Sequence, residues 1–345
     1  MKTLIFNGCG VCSVRFAGVD AGTKSYKILW FDYHKSNQKN QAGFEYEFTE
    51  VPTSKVKRNP AIIIELLEEI NADVYAGLSG YGMPVKHFSE LTEKDLKLMT
   101  LTLEEEQSVG LRELISRITR IDLNFYTIPA IIHLNTVPSY RKIFKIDMGT
   151  YDKLCTAFAV CFDYKCCNFR IIIVEAGYGY TSFLAVKDGR VVDGLGGTAF
   201  LPSYGSAGCM DAEVAYLIGK FPKKFLRIGI KDVLKNAVDV LAENVVKGVR
   251  AIEVSIDKAE KVVLSGRQSP ELIDVLRERR LNAELYGKYQ IASALGAAMI
   301  ACAIGKNGTL KEFARKMGIF SASGSVLDYL PDEWKKVIER RLGIN

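Results

Sequence analysis

In "RFAGVDAGTKSYKILWFD", positions 15–32, an apolar run stops at Asp20-Ala21-Gly22-Thr23. It then resumes with alternation through Tyr26, Ile28 and Trp30. That pattern predicts two strands joined by a tight turn. "FEYEFT" (44–49) alternates as a third strand, and "NPAIIIELLEEI" opens on Asn-Pro and keeps helical spacing to Ile70. "DVYAGL" (73–78) predicts a short buried strand feeding the glycine-rich loop "SGYGMPVK" (79–86). "SELTEKDLKLMTL" and "EEEQSVGLRELISRI" are helical, with acids at their starts. "FYTIPAIIHL" and "RKIFKIDMGT" supply further strand material. The expected order is strand, strand, strand, helix, strand, helix, strand.

The second half repeats that order. A crossover helix is expected over 152–161, and then "FRIIIVEAG" reads as a strongly apolar strand. "YTSFLAVKDGRVVDGLGG" predicts two more strands with Asp188-Gly189 as the hairpin turn. An irregular, partly helical stretch spans 202–255. "KVVLSG" is a strand, and "SPELIDVLRERR" is a helix capped by Ser269 with Pro270 at its first position. "NAELYG" is the last strand, and "YQIASALGAAMIACAIG" is a helix rich in small residues, suited to close packing. An α/β chain of two similar domains follows, the first over 1–150 and the second over 151–303. Helices from about 304 to 345 pack back on the first.

The repeat places chemistry at matching points. Asp20, Gly22, Thr23 and Ser25 occupy the tip of the first hairpin, and "VEAGYGYTSFLAV" puts Glu175, Gly177, Gly179 and Thr181 at the tip of the second. Glycines let a backbone approach a phosphate and aim N–H groups at it. An acid at a strand end can hold Mg²⁺ directly or through water. Two such hairpins facing each other would grip the β- and γ-phosphates of ATP. Ser265-Gly266-Arg267, between a strand and a helix, suits an adenosine-contacting turn. Asp147 and Asp152 flank the start of the crossover helix. "AGTKS" is not a P-loop, because Thr23 separates Gly22 from Lys24 and a strand follows where a helix is required.

Composition narrows the partners. Among 345 residues, 48% are hydrophobic and 25% charged, which is an ordinary globular balance. The net charge of +6 is small and not clustered, so it allows an anionic ligand without arguing for nucleic acid. No apolar run reaches the roughly 20 residues of a membrane span, and "MKTLIF" is too short for a signal peptide, so a cytoplasmic location is expected. The lone pair Cys9/Cys12, the vicinal pair Cys166/Cys167 and three scattered histidines do not have zinc-site spacing.

Taken in order, these elements resemble the phosphate-1, connect-1, phosphate-2, adenosine and connect-2 motifs of the acetate and sugar kinase/Hsp70/actin superfamily. "VDAGTKSYK", "SGYGMP", "IDMGTYDKL" and "VDGLGGTAFLPSYGSAGCMDAEVAYL" are similar to a prokaryotic family labelled predicted butyrate kinases. The resemblance implies two RNase H-like domains around an ATP cleft, with ATP and Mg²⁺ as cofactors. Asp20 and Glu175 would organise Mg²⁺, and a small-molecule acceptor would sit deeper, near 79–86, Arg141 and 194–208. For a hydroxyl acceptor, Asp152 lies where sugar kinases carry a base, with Asp147 as the alternative. A carboxylate acceptor needs cations instead, for which Arg141, Lys142 and Lys86 are candidates. The chain departs from acyl kinases in carrying Asp20 where they carry Asn, and in lacking their His-containing motifs. A homodimer is allowed. The rival expectations within the superfamily are an ATP-driven switch or filament protein and an activator ATPase with cysteines at the crossover helix.

Overall fold

The computed structural model describes residues 13–33, 45–103 and 111–344. The first sheet contains β1 (Val14–Ala21), β2 (Ser25–Tyr33), β3 (Glu47–Pro52), β4 (Val74–Gly77) and β5 (Phe125–Tyr126) in the order β3-β2-β1-β4-β5. The second contains β6 (Arg170–Ala176), β7 (Thr181–Lys187), β8 (Arg190–Leu195), β9 (Lys261–Ser265) and β10 (Ala283–Leu285) in the order β10-β9-β6-β7-β8. Each sheet therefore has an antiparallel meander, β1–β3 or β6–β8, with two strands added parallel to its first strand. The two halves have one topology.

Both sheets are buried on both faces, which is why their central strands read as nearly continuous apolar runs. Phe16 and Leu29 point into a central core, while Ala17, Val19 and Ile28 point to the other side, towards the helices Ala61–Ile70, Glu93–Thr100 and Leu111–Ile118. The outer face of the second sheet packs against the helices Ala237–Glu253 and Ser269–Glu278. The central core contains the helices Tyr151–Asp163 and Ala292–Gly305, which lie between the sheets. These two helices touch backbone to backbone. A Cβ built on Gly296 would lie 1.9 Å from the Cys155 carbonyl oxygen; the helix Ala292–Gly305 also meets β1 closely, where a Cβ on Gly18 would lie 2.1 Å from the Ala298 nitrogen. In the C-terminal segment, Phe313 packs edge-on against Phe158 and Phe162 of the crossover helix.

Each half also carries a Leu-Ser-Gly segment where its fourth strand ends, Leu78-Ser79-Gly80 just past β4 in the first and Leu264-Ser265-Gly266 closing β9 in the second. Both serines are buried, and both glycines have positive φ. The Asp188-Gly189 turn has positive φ at both residues, the geometry that a two-residue hairpin requires.

Three expectations are corrected. "RKIFKIDMGT" forms no strand; a short helix, Ser139–Lys142, follows Pro138, and the chain then turns back. Of "FYTIPAIIHL" only Phe125–Tyr126 pairs, since Pro129 denies the ladder a donor and Ile131–His133 closes into a 3-10 turn. The helix after β9 is capped at Gln268, so Ser269 is its first residue, and the Ser269 hydroxyl donates to the Ser265 carbonyl. The described part of the third strand begins at Glu47; Phe44 lies outside the described residues, as do Cys9 and Cys12.

His133 is a packed core residue whose Nδ1 accepts from the Ala130 amide at 3.1 Å. Burial pushes its pKa down from 6.5 to about 4. The ring is neutral in the fold and charges in the unfolded chain, so its contribution is whole above pH 6.5 and is lost as pH falls towards 4. His133→Asn is expected to reduce acid destabilisation over that window by about 3 kcal/mol, measured as the difference in denaturant stability between the proteins at the two ends.

Candidate functional site

The two hairpins bring the predicted acids to one place. Asp20 is next to last in β1, in register with Lys27 of β2, whose Nζ lies 4.0 Å away. Glu175 is next to last in β6, in register with Ser182 of β7 and Ser265 of β9. Between the hairpins, the first turn of the crossover helix presents Asp152 and Lys153. The Lys153 ammonium lies 2.5 Å from both Asp152 and Glu175, and Asp152 also accepts from the Thr150 hydroxyl.

Burial raises the Asp20 carboxyl above its ordinary value against the pull of Lys27, and Asp152 adds to the rise. Burial likewise raises Glu175, opposed by Lys153 and reinforced by Asp152 and Asp20. Burial works the same way on Asp152, but Lys153 and Thr150 outweigh it and hold that carboxyl low. The lysine is in turn held far above its ordinary value, because two carboxylates outweigh its own desolvation.

Three mutually repelling carboxylates thus face two lysines at the cleft floor. Hard oxygen donors with surplus negative charge are of the kind that takes Mg²⁺, and Asp20 and Glu175 are the residues that could hold it. Among the described residues no three Asp, Glu, His or Cys side chains form a ready cage.

The hairpin tips meet across the cleft. A Cβ on Gly179 would come 2.9 Å from the Thr23 hydroxyl oxygen, so only glycine allows this approach without a shift. Lys24 sits over the Tyr178 ring at 5.0 Å, and the Thr53 hydroxyl donates to the Gly22 carbonyl at 2.8 Å. Tyr151 anchors the first hairpin: its hydroxyl accepts from the Ala21 amide at 3.0 Å and donates to the Val19 carbonyl at 3.2 Å. The cleft so formed has a volume of about 540 Å³. Its walls include Asp20, Gly22, Thr23, Ser25, Asp147, Asp152, Glu175, Gly177, Gly179, Ser265, Gly266 and Arg267.

At one end Arg267 reaches across from the second half to the first. It donates to Glu50 at 2.5 Å and to the Ser25 hydroxyl at 3.2 Å, and Ser25 itself donates to Glu50. The walls also carry Gly80, Tyr81, Tyr180, Gly197 and Thr198, with the cations Lys57, Arg112, Lys223, Lys224 and Arg227. Burial and the like charge of Arg227 both press the Lys57 ammonium below its ordinary value. Arg112 pairs with Glu93 at 3.0 Å, and Lys223 donates to the Thr100 and Leu101 carbonyls at 3.2 and 3.1 Å.

Other predicted residues have structural partners. Asp147 accepts from the Gly149 amide at 3.0 Å and from the amide and hydroxyl of Thr198 at 3.0 and 2.8 Å, which ties the two loops together. Arg141 is placed away from the cleft walls. It donates to the Val192 and Ser255 carbonyls at 2.8 and 3.4 Å and lies 3.8 Å from Asp193. Thr181 is buried off the cleft, its amide bound to the Ser203 hydroxyl at 2.9 Å. Lys86 pairs with Asp95, and Lys142 is buried, donating to the Leu134 carbonyl and the Tyr329 hydroxyl. Cys155 and Cys161 are core thiols inside the crossover helix, and the described cysteines are all free.

Sequence reasoning missed Glu50, Lys57, Lys153 and Arg227. Only Lys153 carried a local signal, as the one basic residue of an otherwise apolar helix.

The fold is shared with solved structures. The chain is similar to an acetate kinase from Entamoeba histolytica at 15% identity, covering 77% of this chain and 86% of that one, with a TM-score of 0.52. It is similar to a propionate kinase from Francisella tularensis at 13% identity, covering 82% and 98%, with a TM-score of 0.53. These likenesses show that the chain shares the fold of these two kinases. No curated protein matches the sequence. Residues 18–331 match a family described as "Protein of unknown function (DUF1464)"; that span takes in both hairpins and the whole cleft, and the chain belongs to this family.

Proposed function

We propose that the chain is an ATP- and Mg²⁺-dependent phosphotransferase whose acceptor is a small carboxylic acid. The observation that carries the choice of acceptor is the state of the two carboxylates that could have served as a base. Asp152 is held by Lys153 and Thr150 with its carboxyl low, and Asp147 is held by Gly149 and Thr198. A hydroxyl acceptor benefits from a base that takes its proton. A carboxylate is already a nucleophile and needs only cations to bind it and offset the charge of transfer. Lys57 and Arg227, near each other on the cleft wall, would supply them. The acetate and propionate kinases that share the fold support the same reading.

In this reading Gly22, Thr23, Gly177 and Gly179 hold phosphate oxygens, and Ser265, Gly266 and Arg267 face the nucleoside. Asp20 and Glu175 hold Mg²⁺, which neutralises phosphate charge when bound. Lys57, Arg227, Tyr81 and Tyr180 receive the acceptor. The wild-type protein is expected to bind a non-hydrolysable ATP analogue with Mg²⁺ in a calorimetric titration. It should also form acyl phosphate, trapped as hydroxamate, from a short carboxylic acid but transfer nothing to sugars. Arg227→Ala is expected to raise the KM for the acid about tenfold or more and leave that for ATP unchanged. No binding of the analogue to folded protein would remove the kinase reading. Transfer to a sugar alone would move the acceptor to the hydroxyl class.

A further inference from the structure

We propose that Lys153 is a built-in counter-ion that occupies the divalent-cation seat until metal arrives with nucleotide. Three carboxylates, Asp20, Asp152 and Glu175, lie close together and largely shielded at the cleft floor, their side chains 11%, 20% and 14% exposed. The Lys153 ammonium is set among them as a cation from within the chain, lying 2.5 Å from Asp152 and 2.5 Å from Glu175. The side chain is largely shielded, 12% exposed, and comes from the first turn of a helix packed in the core, so its charge is held where it stands.

The consequence for binding is specific. Free Mg²⁺ meets two carboxylates already paired with Lys153 and must displace an ammonium to reach Glu175. A metal–nucleotide complex brings anionic phosphates that can take the ammonium in exchange, so Glu175 passes to the metal and Lys153 to phosphate. No charge is left buried alone at either stage, which matters because breaking a buried pair by removing one partner is strongly destabilising. Metal and nucleotide would therefore bind as a unit. The exchange half of this inference rests on the nucleotide reading above, whereas the counter-ion half does not.

The test uses Mn²⁺ as probe and the full chain without nucleotide. Wild-type protein should bind free Mn²⁺ weakly by electron paramagnetic resonance titration. Lys153→Met leaves the three carboxylates without that cation and should bind one Mn²⁺ about tenfold or more tighter, since affinity follows the charge of the ligand set. Lys153→Arg keeps the cation and should behave as wild type. If Lys153→Met is unfolded without metal, Mn²⁺ should restore its fold and raise its melting temperature with concentration. A folded Lys153→Met protein with no gain in Mn²⁺ affinity would overturn the proposal, and so would one that Mn²⁺ does not rescue. In a separate arm, wild-type protein with a non-hydrolysable ATP analogue should bind Mn²⁺ tightly. Failure of that arm alone counts against the nucleotide reading and the exchange step, and leaves the counter-ion assignment standing.

Discussion

Gly296→Val is expected to prevent the protein from folding. A Cβ at Gly296 would lie 1.9 Å from the Cys155 carbonyl oxygen and 2.5 Å from its carbonyl carbon. Those are backbone atoms of the crossover helix and have no rotamer by which to move aside. The only relief is to separate the helices Tyr151–Asp163 and Ala292–Gly305, whose facing residues are buried in the central core. Overpacking against side chains costs about 1–3 kcal/mol. Here whole helices must part, and a loss above about 4 kcal/mol is expected, enough to unfold a domain of ordinary stability. The check is soluble yield and cooperative thermal unfolding. Gly287→Ala is the control, since nothing lies within 4 Å of its Cβ position, and it should change stability by no more than about 0.5 kcal/mol.

Asp20→Ala is expected to weaken binding of the Mg²⁺–nucleotide pair by about a hundredfold, the scale on which a lost charged ligand acts. The same variant should melt no lower than wild type without ligand at pH 7. The native Asp20 carboxyl is raised above its ordinary value chiefly by burial, so the fold favours its protonated form. For an acid with a raised pKa, the favourable contribution is present below the ordinary value of 3.8 and is lost as pH rises through the native value. Glu175, raised from 4.5 by burial, has the same sign. Removing Asp20 therefore relieves strain at neutral pH while taking away a ligand, and the two effects separate binding from stability. Calorimetric titration and thermal melts on the same preparation check both. Unchanged nucleotide affinity would detach the first hairpin from phosphate binding.

Much of this arrangement was legible because the informative signals are local. Alternation and apolar runs mark β1, β2, β6 and β7, and an acid two positions before each hairpin tip marks the floor of the cleft. Strand material after Phe125 was misread because a buried apolar segment looks alike whether or not it finds a strand to pair with. "IPAIIHL" is core packing around a proline, not ladder. The cations divided the same way. Arg141 and Arg227 are equally plain in sequence, and what separates them is which distant carbonyls or rings they meet. Arg141 is engaged by Val192 and Ser255, far along the chain, and Arg227 stands across from Lys57 of the other half. Glu50 joins the site only because Arg267, from the other sheet, reaches it.

The paired Leu-Ser-Gly turns bear on how a ligand is oriented. A fold made of two like halves presents its cleft with near two-fold symmetry, yet nucleotide and acceptor differ at their two ends. Polarity must then come from whatever breaks the symmetry. After Ser265-Gly266 the chain enters the helix Ser269–Glu278, whose first turn carries no lysine or arginine. After Ser79-Gly80 it runs instead through Tyr81 and Pro84 in an extended loop beside the cations of the cleft wall. In the proposed reading two like turns serve different ends, nucleoside recognition in one half and acceptor recognition in the other. Transplanting the loop that follows either turn would be the direct way to ask which end of the cleft reads which molecule.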